Sequence, residues 1–237
     1  MVTSTDIKTW KKENLDPVSC TFCTAKWKQV TLHLHNGHTH SCHHPTSHKI
    51  PLEELKDNPS ALHNTKFKKE QRKLMLEGKR PAECDYCWRV EDSGSEELSD
   101  RTYKSFEPWA QPHIQDIVDK GWDDNVNPSY LEVSFSSVCN LKCSYCSPQV
   151  SSKWMEEIKE HGPYNTSNKF NDLQWLIQTD AMPIPNREPN PYIEAFWKWW
   201  PDVSKDLKHF RITGGEPLLT KDTFKVLDDL IANPKPD

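Results

Sequence analysis

The 237-residue chain is poor in glycine, with seven in all. No stretch of it approaches the ~20 consecutive apolar residues that a helix needs to span a bilayer. The N-terminus, "MVTSTDIKTWKKENLD", lacks the basic, then apolar, then small-residue order of a secretory signal. An excess of positive charge is missing too. The formal net charge of −5 argues against a polyanion partner, because nucleic-acid binding relies on Lys and Arg to neutralise phosphates. Hydrophobic residues make up only 35%, and the mean hydropathy of −0.84 is polar for a globular chain. These absences set aside a membrane-spanning or nucleic-acid-coating protein and point to the cytoplasm.

Ten Trp offset part of the apolar deficit, and eight Cys are present. In a reducing compartment cysteines serve metals or catalysis rather than disulfides. The length leaves room for one or two domains.

Residues 1–19 read as polar and irregular. "KWKQVTLHLHNGHTHSCHH" reads as a β-hairpin, with Val30, Leu32 and Leu34 alternating with polar residues. Asn36-Gly37 as a two-residue turn pairs His35 with His38, His33 with His40 and Thr31 with Cys42. Four His and Cys42 then lie opposite the Leu face. "IPLEEL" reads as a short helix. A longer one starts at Asn58, Pro59 and Ser60 and is stopped by Gly78. "EDSGSEELSD" reads as a linker, followed by a Trp- and Pro-punctuated segment. Leu131, Val133 and Phe135 mark a strand. Ser147 as N-cap and Pro148 as first residue open a helix that Gly162 stops. A short helix is expected near Leu173–Ile177, and "PYIEAFWKWW" is a helix whose Trp197, Trp199 and Trp200 read as core. "KHFRIT" is a second strand, "GGEP" a turn and "KDTFKVLDDLIAN" a helix. Strand–helix units of this kind build a parallel sheet or barrel with function at the C-terminal strand ends. Both unusual loops fall at that edge.

"SVCNLKCSYCSPQ" holds Cys139, Cys143 and Cys146, spaced C-x3-C-x2-C. Close-set cysteines point to a metal or an iron–sulfur cluster, and such sites normally take four protein ligands. Three thiolates leave one coordination place open, as catalytic rather than structural metal sites do.

The motif resembles that of the radical S-adenosylmethionine (radical SAM) enzymes, down to the aromatic Tyr145 before the last cysteine. "TGGEP" matches their second motif, in the same order and likewise after a strand. The resemblance covers residues 129–237. It implies that Cys139, Cys143 and Cys146 hold a 4Fe-4S cluster whose open iron chelates the methionine part of S-adenosylmethionine. It places Tyr145 near the adenine, and Gly214, Gly215, Glu216 and Pro217 along the methionine end. It implies one-electron cleavage of the sulfonium to a 5′-deoxyadenosyl radical that takes a hydrogen from substrate, with an external electron donor. Glu216 suits a charge-assisted bond from an ammonium group.

Cys20, Cys23, Cys42, Cys84 and Cys87 remain. They resemble the cysteines of the twitch domains that carry auxiliary clusters in this superfamily, although such domains usually follow the core. The expected ligands are Cys23, Cys42, Cys84 and Cys87, with Cys20 spare. The competing set is Cys20, Cys23, Cys84 and Cys87, a ribbon-like pair of knuckles. The occupant is a second 4Fe-4S cluster or zinc, with free thiols the remaining reading. His43 or His44 could replace a cysteine. Seven of the eleven His lie between His33 and His48, read as a polar face or as metal ligands. The cationic run "KFKKEQRK" reads as a solvated helix face, with an RNA or anionic-substrate contact as the sharper reading.

The expectation is therefore an α/β protein: a small α+β metal-binding module over residues 1–90, a linker over 91–128, and the first part of a (β/α) radical SAM barrel over 129–237. Its substrate is a peptide or small molecule. RNA modification by the same chemistry, or a non-catalytic zinc-binding interaction module, are the alternatives. A core of this type takes roughly 30 residues per strand–helix unit. Only two units are visible after Tyr130, so a longer reading frame is expected.

Overall fold

The computed structural model describes residues 3–94, 97–165 and 171–234. Residues 95–96 of the acidic stretch and 166–170 of the Asn- and Pro-rich stretch lie outside that description. The chain is α/β. Its elements run α1 (Ser4–Asn14), α2 (Ala25–Lys28), β1 (Gln29–His33), β2 (His38–His40), β3 (His48–Lys49), α3 (Leu52–Leu55), α4 (Lys66–Leu76), α5 (Asp85–Asp92), α6 (Asp100–Phe106) and α7 (Ile114–Lys120). They continue with β4 (Tyr130–Ser134), α8 (Ser152–His161), α9 (Leu173–Gln178), α10 (Pro191–Val203), β5 (His209–Thr213) and α11 (Lys221–Ala232). None of the described helices is long and apolar enough to cross a membrane.

Among the described residues five strands form one mixed sheet, ordered β3-β2-β1-β4-β5. β1, β4 and β5 run parallel, with Leu32 beside Val133 and Val133 beside Ile212. The hairpin therefore continues the sheet that carries both motif loops. Alternation decides the faces. Val30, Leu32, Leu131 and Val133 are fully buried on one side, against Phe196, Trp199 and Trp200 of α10. Each such side chain contributes about 1.5–3 kcal/mol. The opposite face is polar. Thr31, Glu132 and Arg211 lie side by side, as do His33, Ser134 and Thr213. There Arg211 pairs with Glu132 at 3.1 Å and donates to the Tyr130 hydroxyl at 3.0 Å.

Pro191 opens α10 under the Asn190 cap, whose Oδ1 accepts from the Tyr192 and Ile193 N–H groups. The three Trp indoles of the helix donate to Asp222, Asn127 and Asp229. A second core lies under α1, α2, α4, α5 and α7, where Leu15, Phe22, Trp27, Met75 and Trp88 enclose Cys23, Cys84 and Cys87. β5 is the sheet edge, and the neighbouring α11 exposes Phe224, Leu227 and Ile231.

Several local expectations need correction. The hairpin pairs His33 with His38 and Thr31 with His40, two residues off the expected register. The Leu34 N–H donates to Ser134 O of β4 at 2.9 Å, so Leu34 cannot pair back across the hairpin. The turn widens to residues 34–37. A shift of two preserves the faces, so the His face survives; a shift of one would have inverted it. Residues 4–14 are helical rather than irregular, started by a reciprocal Thr3–Asp6 capping box. Pro59–Leu62 is a separate 3-10 turn, and α4 begins only at Lys66, capped by Thr65. Gly78 does end it, with Lys79 N bonded to Leu74 O and Gly78 N to Met75 O. α8 starts at Ser152 under the Ser151 cap, not at Pro148. The segment expected as linker carries α6 and α7.

Gly37 closes the widened turn at φ +71°, and a Cβ there would stand 2.1 Å from the Tyr192 ring. That ring is buried, and its hydroxyl donates to Ile50 O at 3.2 Å. Gly37→Ala should therefore cost about 2–4 kcal/mol, from left-handed strain plus overpacking. Urea unfolding measures it. Gly121→Ala, at φ +76° with open space around it, serves as the control and should lose clearly less.

Candidate metal centres

The first centre is built on the parallel pair β4 and β5. Both strands end at the same edge, and the loops that follow them touch. Gly215 N–H donates to Ser136 O at 3.1 Å and Glu216 N–H donates to Val138 O at 2.8 Å. The contact leaves no room for side chains. A Cβ on Gly214 would lie 2.4 Å from Ser134 Oγ, and one on Gly215 would lie 2.3 Å from Val138 O. The two glycines thus serve the approach of one loop to another.

Beyond this clip the cysteine loop is held from α8. Ser152 Oγ accepts from Cys139 N–H at 3.0 Å, the Ser152 N–H donates to Ser137 O at 2.7 Å, and the Trp154 indole donates to Cys143 O at 3.0 Å. Cys146 N–H closes a turn on Cys143 O at 3.0 Å. Cys139 is buried, whereas Cys143 and Cys146 are half-exposed. All three cysteines lie on the loop between β4 and α8. Burial first, and then Cys139 and Cys143 beside it, push the Cys146 thiol up. Tyr145 is 91% exposed. Its phenol is pushed up chiefly by a hydrogen bond with the Cys143 side chain and by the thiol charges. Glu216 caps the 3-10 turn Pro217–Leu219 by accepting from Leu218 N–H at 3.1 Å.

The second centre lies in the other core. Cys23, Cys42, Cys84 and Cys87 line a single small cavity of about 20 Å³, together with Lys26, His44, Met75, Asp100 and Arg101. Four elements deliver them: the turn before α2, the segment after β2, the turn before α5, and α5 itself. Burial pushes Cys42 and Cys87 up to about 12 and Cys84 to about 11, and it raises Cys23 as well. The thiols also raise one another. The ligand form of a thiol is the thiolate, so a metal loaded here would displace protons. Cys20 stays outside, exposed, with its thiol 3.9 Å from Gly78 O. His44 lines the cavity, but its Nε2 is 3.0 Å from the Asp100 carboxylate and its ring stacks on Tyr86.

The expected His face is crowded rather than open. His33 and His40 face each other with Nε2 atoms 3.0 Å apart, and His40 Nδ1 is bonded to Cys42 O. Burial pushes these rings down, to about 4 for His33 and about 3 for His40, so both are neutral at pH 7. The reading of "KFKKEQRK" as a solvated face fails at two positions. Lys68 and Arg72 are buried, because α4 packs its inner side against α2.

Both thiol sets suit the groups expected of them. Soft thiolate donors select zinc or iron–sulfur clusters over oxygen-loving cations. Among the described residues no group of three or more His, Cys, Asp or Glu stands ready-arranged around a single metal ion. No family model, curated protein or solved structure matches the chain.

The loop clip is open to a direct test. Gly215→Ala would set a methyl against the Val138 carbonyl, a backbone atom that cannot swing aside. The expected cost is about 1–3 kcal/mol, with a loss of iron bound at Cys139, Cys143 and Cys146 after anaerobic reconstitution. Gly94→Ala, with nothing within 4 Å, should keep its iron. Equal iron in both variants would contradict the role given to the clip.

Proposed function

We propose that the chain is the cluster-bearing part of a radical SAM enzyme, with a partial (β/α) barrel and an auxiliary thiol-ligated centre. One observation supports this above all. The two motif loops leave adjacent parallel strands and are bonded backbone to backbone, with glycines where any side chain would force them apart. A zinc-binding interaction module has no use for that second loop.

Cys139, Cys143 and Cys146 would hold the first cluster. A 4Fe-4S cluster held there would supply one-electron reduction of the S-adenosylmethionine sulfonium, the chemistry from which a 5′-deoxyadenosyl radical for hydrogen abstraction would come. The protein's own residues position and shield. Glu216 has one oxygen on the Leu218 N–H and offers the carboxylate to the methionine ammonium. Gly214 and Gly215 keep the methionine end free of side chains. Tyr145 stands out from the loop and would cover the adenine. Ser152 and Trp154 fix the loop backbone, so the thiolates need not be ordered when the cluster arrives. Cys23, Cys42, Cys84 and Cys87 would hold a second cluster, or zinc, as an electron relay or support. An external donor would supply the electrons. We place the protein in the cytoplasm, where free thiols persist. A peptide or small molecule fits the net charge of −5 better than RNA does.

Anaerobically reconstituted protein with a strong reductant should cleave S-adenosylmethionine to 5′-deoxyadenosine. Cys143→Ala should reduce the yield to background, read by chromatography. An undiminished yield in that variant would overturn the assignment.

A further inference from the structure

Helix α6 carries no cysteine, yet it is bonded to each element that brings a thiol to the second cavity. Arg101 is at its centre, 4% exposed. The guanidinium donates to Cys20 O at 2.9 Å and to Phe22 O at 2.8 Å, carbonyls of the turn that leads into Cys23. Ser105, one turn further along α6, accepts from the Thr24 N–H at 3.0 Å. Cys23 is thus held at the residue before it and at the residue after it. The other edge of the same guanidinium pairs with Glu91 of α5, at 2.6 and 3.1 Å. Glu91 lies four residues after Cys87, on the same helix face. The hydroxyl of Ser99, the N-cap of α6, donates to Glu91 as well. Asp100 completes the set. Its carboxylate is 3.0 Å from Nε2 of His44, two residues after Cys42.

The guanidinium is a rigid planar fork, so the bonds it makes fix directions as well as distances. Here one fork joins the turn that carries Cys23 to the helix that carries Cys87 and follows Cys84. Cys20 contributes its carbonyl to this joint while its thiol stays outside. The segment that the sequence reads as a linker therefore serves the second centre without supplying a ligand.

We propose that Arg101 is a positioning residue of the second centre, which holds Cys23 in place as the ligand opposite Cys84 and Cys87. The proposal rests on the reading of Cys23, Cys42, Cys84 and Cys87 as a metal site. It deepens that reading by extending the site to α6, with Glu91 and Ser105 as the supports of Arg101. Four thiols that come from four places in the chain must be ordered together, and ordering them before the metal arrives lowers the entropic cost of binding. Outer hydrogen bonds that orient metal ligands are typically worth about 10–100-fold in metal affinity.

The test uses the full chain carrying Cys139→Ala, Cys143→Ala and Cys146→Ala, so that only this site remains, and Co²⁺ as the probe. Arg101→Lys keeps the charge and loses the fork. Its Co²⁺ affinity should fall by about tenfold or more. Its cobalt–thiolate absorption at saturation should fall by about a quarter, one thiolate of four, to the level of Cys23→Ser. In the Cys23→Ser background, Arg101→Lys should cost no further affinity, because the ligand it positions is already gone. An arginine that only packs would lower the melting temperature and leave the saturated absorption whole, and one that acts by charge alone would be replaced by lysine without loss. Either result overturns the proposal, as do losses that add in the double variant. If Arg101→Lys does not fold, Ser105→Ala, which releases the Thr24 N–H, is read in the same way. Full absorption in the folded variant sinks the proposal while the metal site stands. Absence of cobalt–thiolate absorption in the parent removes the site and the proposal together.

Discussion

The approach of two backbones is the constraint from which the first centre follows. Gly215 and Glu216 donate to the carbonyls of Ser136 and Val138, and those carbonyls lie immediately before Cys139. A loop carrying three thiols has many conformations, and ordering it costs entropy for each residue fixed. The clip removes much of that freedom from one side, and Ser152 and Trp154 remove more from the other. The parallel pairing of β4 with β5 is what brings the partners to one edge. The apolar face of these strands, buried against α10, keeps the pairing in register.

The second centre depends on a different balance. Its thiols sit in an apolar core that discourages ionisation, next to cations that encourage it. Lys26 shows the outcome. Burial works to lower its ammonium, but Cys84 and Glu83 outweigh burial and hold it above its ordinary value. Cavity, thiols and cations therefore form one electrostatic unit. The hairpin links this unit to the first centre, because β1 pairs with β2 on one side and with β4 on the other.

Much of this was legible in the sequence. The alternation Leu131, Val133, Phe135 gave β4, and the aromatic stripe of α10 marked its buried side. Two sets of four cysteines stayed open in the sequence, one with Cys42 and one with Cys20, and the lining of the second cavity has Cys42. What escaped reading was set by distant partners. The hairpin register turned on one N–H, that of Leu34, which Ser134 claims from a hundred residues away in sequence. β3 is two residues long and exists only because β2 offers it an edge. Pro148 and Asn58 are turn-formers as well as helix-starters, and here they form turns. The α1 helix was announced by Thr3 and Asp6, but it buries only Ile7 and so has little apolar period. Lys68 and Arg72 look solvated in any local window, and only the packing of α4 reveals that they are not. That the glycines of "GGEP" also make room for the cysteine loop is visible only in the fold.

The most direct measurement of the central claim is the electron paramagnetic resonance spectrum of the reduced, reconstituted chain, recorded before and after addition of S-adenosylmethionine. A cluster held by three thiolates has an open iron, so the account predicts that part of the signal changes its g-values when the ligand occupies that place, and that Cys143→Ala abolishes this part. A spectrum identical with and without S-adenosylmethionine would contradict it.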